Sequence, residues 1–178
     1  MTMNRRTLII RGAAVLLAAR ARPASAQAAP VLIEMKGSPR GERVAFVPSG
    51  VGVAPGTVVR FVNRDAGNSH TATTYHPDIL DRPQRIPDAA QPWDSDLLLP
   101  EDAFEVTLTV PGVYDFYCVP HEHAGMVGRI VVGTPDDTGW QGPATDPGDL
   151  PDAALAAFAA VDVILAQGAV LPPGGDPT

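Results

Sequence analysis

The segment Tyr114–Gly133 reads YDFYCVPHEHAGMVGRIVVG, two strand-like stretches joined by a short loop. Side chains alternate between the two faces of a strand, so Cys118 points inward at the end of the first stretch. Cys118, His121, His123 and Met126 fall within nine residues. Thiolate, imidazole and thioether together are the ligands that suit copper in a trigonal His₂Cys site with a weak axial Met.

A site of this kind needs a second histidine, and His70 is the candidate. It lies in SHTATTY, directly after VVRFVNRDAGN. A loop between adjacent strands can bring Cys118, a histidine and Met126 to one point, and His70 from a distant strand would close the site. Because the chain has a single cysteine, it cannot form an internal disulfide.

Short strands are predicted from about Val31 to Val132. FEVTLTV alternates apolar and polar residues, which is typical of a strand with one buried face. VLIEM, RVAFV, TVVRFVN, SHTATTY, VYDFYC and GRIVVG are also short and rich in β-branched or aromatic residues. Pro-Gly turns at residues 54–57 and 110–113 separate some of them. Seven or eight such strands predict an all-β fold, an antiparallel sandwich or barrel.

The remaining segments are predicted as connections and a C-terminal helix. Residues 76–100 are rich in proline and aspartate and indicate a long loop, which Trp93 should fold against the sandwich. Residues 134–150 form a Pro/Gly/Asp linker, 151–168 a helix that docks on the domain, and 169–178 a disordered tail. A membrane helix is disfavoured there, because Asp162 would lie near the bilayer centre.

Residues 1–26 have the pattern of a twin-arginine signal peptide. Arg5 and Arg6 precede a short apolar run, which ends at Ala24-Ser25-Ala26. Export to the periplasm is therefore expected. Without this segment the chain has eight basic and 20 acidic residues. Such a charge makes nucleic acid or an anionic membrane surface a poor partner and favours a protein with a basic face.

YCVPHEHAGMVGRIVVG resembles the copper loop of the plastocyanin and pseudoazurin group of cupredoxins, with the spacing Cys-x₂-His-x₄-Met. VRFVNRDAGNSH is similar to the segment that supplies the first histidine in that family. The resemblance covers about residues 30–133, within a predicted domain at 27–133. It implies an eight-stranded Greek-key cupredoxin sandwich, here with a C-terminal helical extension. It also implies one blue copper ion, cycling between Cu(II) and Cu(I), held by His70, Cys118, His121 and Met126.

Three positions can be compared with the residues that are usual in that family. His123 would be the ligand under the alternative spacing Cys-x₄-His-x₄-Met, but that spacing requires methionine at position 128, which is Gly128. Thr71 stands where plastocyanin and pseudoazurin usually have asparagine, so the hydrogen bonds between the two ligand segments should differ. Tyr117 resembles the surface tyrosine beside the cysteine ligand in plastocyanin and is predicted to point outward.

The resemblance implies a soluble, monomeric electron carrier that is not an enzyme and is not inserted in a membrane. Its partner would be another redox protein, such as a cytochrome c with a basic face. A periplasmic copper carrier or storage protein is the alternative. A Cys–His hydrolase fits poorly because no oxyanion donors are evident. Four histidines are too few for a multicopper oxidase, and one cysteine is too few for a CuA centre.

Overall fold

The computed structural model describes residues 28–178, so the predicted signal peptide lies outside the described residues. Two sheets face each other. The four-stranded sheet contains β1 (Val31–Gly37), β2 (Val44–Val47), β4 (Thr57–Asn63) and β6 (Ala103–Leu108), in the order β2-β1-β4-β6. The five-stranded sheet contains β3 (Gly50–Val53), β5 (Thr73–Thr74), β7 (Gly112–Tyr117), β8 (Val127–Val132) and β9 (Ala169–Val170), in the order β5-β7-β8-β3-β9. The predicted all-β sandwich is confirmed.

The pairing of the strands places the Cys/His/Met loop at one end of the five-stranded sheet. β7 and β8 are antiparallel neighbours, in register from Gly112 opposite Val132 to Tyr117 opposite Val127. The loop between Tyr117 and Val127 therefore closes a hairpin. The sandwich is not purely antiparallel, in contrast to the prediction, because β1 pairs with β4 and β3 pairs with β8 in parallel. Parallel neighbours need a crossover connection, and here the chain passes through the other sheet between them.

Aromatic rings fill the space between the sheets. The ring centroid of Phe116 lies 4.8 Å from that of Phe46 and 5.2 Å from that of Phe61, both with edge-to-face geometry. Gly128 makes room for this cluster, since a Cβ at that position would lie 2.2 Å from Cζ of Phe116. Trp93 is buried in the same core and anchors the long loop, as predicted.

Two details of the strands differ from the sequence prediction. In SHTATTY only Thr73 and Thr74 form a strand, because the chain there is held mainly by isolated bridges and side-chain hydrogen bonds. β3 was not predicted, since two of its four residues are Gly50 and Gly52 and it lacks the usual strand composition. A Cβ on Gly50 would lie 2.8 Å from Cβ of Ala159, so this glycine lets the C-terminal segment approach the sheet.

The C-terminal segment packs on the outer face of the five-stranded sheet. Instead of one continuous helix over 151–168, it has two short ones, α1 (Asp152–Ala157) and α2 (Val161–Gln167). Phe158 and Ala160 between them are extended. The break lets the carbonyl of Ala159 accept a hydrogen bond from Arg129 at 2.9 Å. It also seats the Phe158 ring 5.0 Å from the Arg129 guanidinium.

Part of the tail that was predicted as disordered is paired with the sandwich. Ala169–Val170 form β9 along β3, and Nζ of Lys36 donates to Asp176 at 2.8 Å. Arg43 donates to the carbonyls of Pro173 and Gly175. Between residues 28 and 178, none of the helices is both long and apolar enough to cross a bilayer.

Candidate metal centre

The loop that follows β7 is a short 3₁₀ segment, Val119–Ala124, closed by its own backbone. The N–H of Cys118 donates to the carbonyl of Met126 at 3.0 Å, and that of Met126 to the carbonyl of His121 at 3.2 Å. Gly125 ends the segment with φ 79°, a left-handed conformation that suits glycine. These hydrogen bonds hold the cysteine, the first loop histidine and the methionine at one end of the hairpin.

Three donor atoms converge at this end of the sandwich. Sγ of Cys118 lies 3.4 Å from Nδ1 of His121 and 3.5 Å from Nδ1 of His70. The two imidazole nitrogens lie 3.2 Å apart. His70 lies between β4 and β5, where its backbone exchanges hydrogen bonds with Leu98 of the long loop at 3.1 and 2.8 Å. The sequence-predicted trio is thus brought together by two distant segments.

Met126 is fully buried in the same core cluster as Cys118. His123, the alternative candidate, is exposed and lies outside the group of converging donors. The structure therefore favours His121 as the histidine of the site. Gly128, where the alternative spacing would require methionine, has no room for a side chain beside Phe116.

Thr71 connects the two ligand-bearing segments. Its backbone N–H donates to Sγ of Cys118 at 3.4 Å, and its hydroxyl oxygen accepts from the N–H of Val119 at 2.9 Å. A hydrogen bond of 2.8 Å links the hydroxyls of Thr71 and Thr73 and fixes the orientation of the Thr71 side chain. Threonine thus supplies a tie at the position where asparagine was expected.

Asp65 is a residue of the site that the sequence analysis did not single out. Its Oδ2 lies 3.0 Å from Nε2 of His70, on the side of the ring opposite the cysteine. The carboxylate also accepts from the N–H of Gly67 at 2.9 Å and from Nδ2 of Asn68 at 2.8 Å. Carboxylates in this position fix the tautomer and the orientation of a ligating histidine. The signal was present in NRDAGNSH, where an Asp-x-Gly turn precedes the histidine.

The protonation of the donors follows from burial. Burial raises the pKa of Cys118 to about 11, although the backbone N–H groups of Thr71 and His121 oppose it. Burial lowers the pKa of His70 despite its hydrogen bond to Asp65, and it lowers the pKa of His121 as well. The imidazoles are therefore neutral and available as ligands near pH 7, and a metal ion must displace the thiol proton when it binds.

Tyr117 is not at the surface, contrary to the sequence prediction. It is 2% exposed, with its ring stacked on Tyr75 at 4.3 Å between centroids. It lies in a second core cluster that includes Leu150 and Ala154 of the C-terminal segment. Strand alternation does point Tyr117 to the outer face of the sheet, but that face is covered by a segment whose docking site the sequence pattern did not reveal.

A partly buried ionic network supports the same face. Glu122, between the two loop histidines, accepts from the hydroxyl of Tyr75 at 2.8 Å and from Arg82 at 2.6 Å. Arg82 reaches Asp149 at 3.3 Å and lies over the ring of Tyr117, 5.4 Å from its centroid. Through Glu122 and Arg82, the Cys/His/Met loop is therefore connected to both the long loop and the C-terminal segment. No sequence pattern indicated this role for Glu122.

The donor set fits copper. The donors of His70, Cys118 and His121 all lie within 4.8 Å of one another, so one ion can reach all three. A buried thiolate with two imidazoles and a nearby thioether is the combination found in blue-copper electron-transfer sites. Structural zinc sites use Cys, His and carboxylate ligands, and the thioether adds little to such a site.

Comparison with known proteins agrees with this chemistry. The family model described as "Copper binding proteins, plastocyanin/azurin family" matches residues 33–133. The chloroplastic plastocyanin of Silene latifolia subsp. alba is 38% identical over 108 residues, 61% of this chain and 62% of its own length. The chloroplastic plastocyanin minor isoform of Arabidopsis thaliana is 41% identical over 91 residues, 50% of this chain. The chain thus spans 62% and 51% of the lengths of these two relatives.

Among solved structures, a pseudoazurin from Sinorhizobium superposes with a TM-score of 0.53 and 28% identity. The match covers 78% of this chain and 94% of the pseudoazurin, and therefore includes part of the C-terminal segment as well as the sandwich. Together with the family match over residues 33–133, this likeness identifies the chain as a member of the plastocyanin/azurin family of copper binding proteins.

Proposed function

We propose that the protein is a blue-copper electron carrier in which His70, Cys118, His121 and Met126 hold one copper ion. The observation that carries the proposal is the preformed convergence of Sγ of Cys118 with the Nδ1 atoms of the two histidines, at 3.4 and 3.5 Å. Copper in such a site accepts and returns a single electron. The role is electron transfer between protein partners, without catalysis on a substrate.

The surroundings of the site support a carrier. The backbone of the loop and the hydroxyl of Thr71 hold the ligand segments in one geometry. A rigid site suits electron transfer because little rearrangement accompanies a change of oxidation state. Pro120 has no N–H to donate to the Cys118 sulfur, and one hydrogen bond fewer at that atom tends to raise the reduction potential.

The proposed location is the periplasm. Its support is the twin-arginine pattern of residues 1–26, which a periplasmic copper carrier would share. The proposed partner is a redox protein with a basic face, such as a cytochrome c, and the protein acts as a monomer. An acidic chain steers such a partner electrostatically, and raising the ionic strength should slow their reaction.

The test is the visible absorption spectrum of Cu(II)-loaded protein beside that of Cys118→Ser. An intense blue thiolate-to-copper band is expected, lost in the variant and bleached by ascorbate. Ser95→Ala, which changes a hydroxyl outside the donor group, is a control that should retain the band. A weak absorption spectrum that is the same in the parent protein and in Cys118→Ser would contradict the electron-transfer role. Copper carriage or storage would then be the better explanation.

A further inference from the structure

An exposed apolar groove lies beside the metal centre. Leu80 and Leu97, 63% and 62% exposed, form its walls together with Val119 and Pro120. Thr71, Asp94 and Asp96 complete the lining. We call this surface the leucine groove. Large aliphatic side chains exposed side by side next to a functional site are typical of an interaction surface.

The backbone holds these leucines outward in unusual conformations. Leu80 has φ 54°, and the neighbour of Leu97, Asp96, also has φ 54°. A left-handed conformation is unfavourable for a residue with a branched side chain such as leucine, and strain of this kind clusters at functional positions. The segment is also fixed, since Asp94 accepts hydrogen bonds from the hydroxyl of Thr73 and the N–H of Asp96. The groove is therefore preformed.

The groove is adjacent to the thiolate of the proposed copper site. Thr71, on its lining, donates its N–H to Sγ of Cys118 at 3.4 Å and accepts from the N–H of Val119. Val119 itself follows Cys118 in the chain. A protein seated in the groove would be separated from the sulfur by one residue. The other flank of the cysteine is closed, because Tyr117 is buried beneath the C-terminal segment.

The charge around the groove is negative. Residues 76–102 contain seven acidic residues and two arginines. Both arginines are already paired: Arg82 with Glu122 and Asp149, and Arg85 with Asp115. Asp94 and Asp96 stand at the edge of the apolar surface. An apolar centre with an anionic rim complements a partner whose own apolar patch is ringed by lysines or arginines.

We propose that the leucine groove is the docking surface for a redox protein with a cationic rim around an exposed cofactor edge. This inference rests on the proposed function and names the surface that serves it. The partner's apolar patch packs between Leu80 and Leu97, and its cations face Asp94 and Asp96. One electron passes between the two proteins, so that one centre is oxidised as the other is reduced. No bond or proton is exchanged.

The experiment uses a basic c-type cytochrome as the probe and an acidic c-type cytochrome for comparison. The first readout is binding to the metal-free protein by calorimetric or NMR titration at low ionic strength. The second is the bimolecular electron-transfer rate of the copper-loaded protein. Leu97→Ser and Leu80→Asn remove the apolar walls, and asparagine tolerates the left-handed backbone at position 80. Leu32→Ser changes an exposed leucine of β1 and is the matched control.

The basic cytochrome is expected to bind the parent protein and Leu32→Ser alike, and to bind each groove variant at least tenfold more weakly. Asp96→Asn should reduce the salt dependence of binding. Equal binding by the groove variants and the parent would overturn the proposal, as would a preference for the acidic cytochrome or no binding to the parent. A missing blue band refutes the copper role by itself. A normal band with unaltered groove-variant binding refutes only the docking surface.

Discussion

The carboxylate of Asp65 lies 3.0 Å from Nε2 of His70, and both side chains are buried. Burial raises the pKa of Asp65, but hydrogen bonds from Asn68, Gly67 and His70 outweigh it and the pKa is lowered. Asp65 is therefore an anion that accepts the Nε2 proton of His70. That arrangement leaves Nδ1, the atom nearest Cys118, free to bind a metal.

We expect Asp65→Asn to raise the reduction potential. A negative charge beside a ligand stabilises Cu(II) more than Cu(I), and asparagine removes the charge while it keeps an acceptor for His70. The shift should be tens of millivolts, since about 59 mV corresponds to a tenfold change in equilibrium constant for one electron. Protein-film voltammetry measures it, and Asp136→Asn, at an exposed position, is the charge-matched control.

Gly37→Ala tests the same relationship without changing Asp65. A Cβ at position 37 would lie 2.0 Å from Oδ2 of Asp65, so the alanine must displace the carboxylate. The potential should rise here too, and the copper spectrum should persist. If both variants kept the parental potential, the carboxylate would have no influence on the copper site.

Thr71→Val should weaken the tie between the ligand segments. The N–H of Val119 then loses its acceptor, at a cost of about 1–3 kcal/mol for a polar group left without a partner. The free energy of unfolding, measured with urea on the metal-free protein, should fall accordingly. Thr71→Ser retains the hydroxyl and is the control. A loss of equal size in both variants would contradict the prediction, because serine keeps the hydroxyl that accepts this hydrogen bond.

The three tyrosines of the chain should resist ionisation at pH 10. Burial raises the pKa of Tyr114 and of Tyr117 to about 12, and it raises that of Tyr75 further. Unfolded tyrosine ionises near pH 10. Their contribution to stability is complete below pH 10 and is lost as the pH rises through 12, because only the unfolded chain ionises in that window.

Absorbance at 295 nm during an alkaline titration measures this directly. The folded protein should show no tyrosinate transition near pH 10, whereas the protein in guanidinium chloride should titrate there fully. A third of the final absorbance appearing with a midpoint near pH 10 would mean that one tyrosine is exposed. That result would contradict the burial of all three side chains.

Tyr117 also shows where sequence reasoning succeeds and where it fails. The strand, its alternation and the inward orientation of Cys118 were all predictable, because side chains alternate between the two faces of a strand with a period of two residues. The burial of Tyr117 was not, because it depends on where a segment more than 30 residues later docks. The link of Asp65 to His70 was missed for a related reason. An Asp-x-Gly turn has an ordinary local role in a loop, and only the fold directs its carboxylate towards the imidazole.

The site followed from spacing more completely than the fold did. Cys118, His121 and Met126 share one hairpin, so their proximity needs only local geometry. His70 was named only because a site of this kind needs a second histidine, and the family resemblance supported that choice, since nothing local connects it to the loop. β3 was not predicted because glycine has a low strand propensity. The C-terminal helix was predicted as continuous because Phe158 and Ala160 are compatible with a helix. In the structure it is interrupted where Arg129 donates a hydrogen bond to the carbonyl of Ala159.

Met126→Leu should leave the copper bound and shift the potential upward. Leucine fills a similar volume in the core but removes the thioether, a weak ligand that can interact with Cu(II). Voltammetry and the blue band of the loaded protein measure the two effects. Met35→Leu, which changes the other fully buried methionine between residues 28 and 178, is the matched control and should alter neither. An unchanged potential in Met126→Leu would argue against axial ligation.

Asp115 joins the sandwich to its C-terminal segment through two arginines. It is fully buried and accepts from Nε of Arg129 at 2.7 Å and from Nε of Arg85 at 3.0 Å. Arg129 also donates to the carbonyl of Ala159, and Arg85 to that of Asp146. Their guanidinium carbons lie 5.0 and 5.3 Å from the centroid of the Phe158 ring. One carboxylate thus orients both cations that hold the segment.

Asp115→Asn should therefore destabilise the protein by about 3–5 kcal/mol, because it leaves two buried guanidinium groups without their anion. Hydrogen exchange should show faster exchange in residues 140–170 than in β1 and β4, since the arginines lose the orientation that binds the segment. Denaturation with urea gives the free energy, with Asp136→Asn as the exposed control. Uniform exchange across both sheets would mean that the carboxylate stabilises the whole sandwich and has no particular role in docking its C-terminal cover.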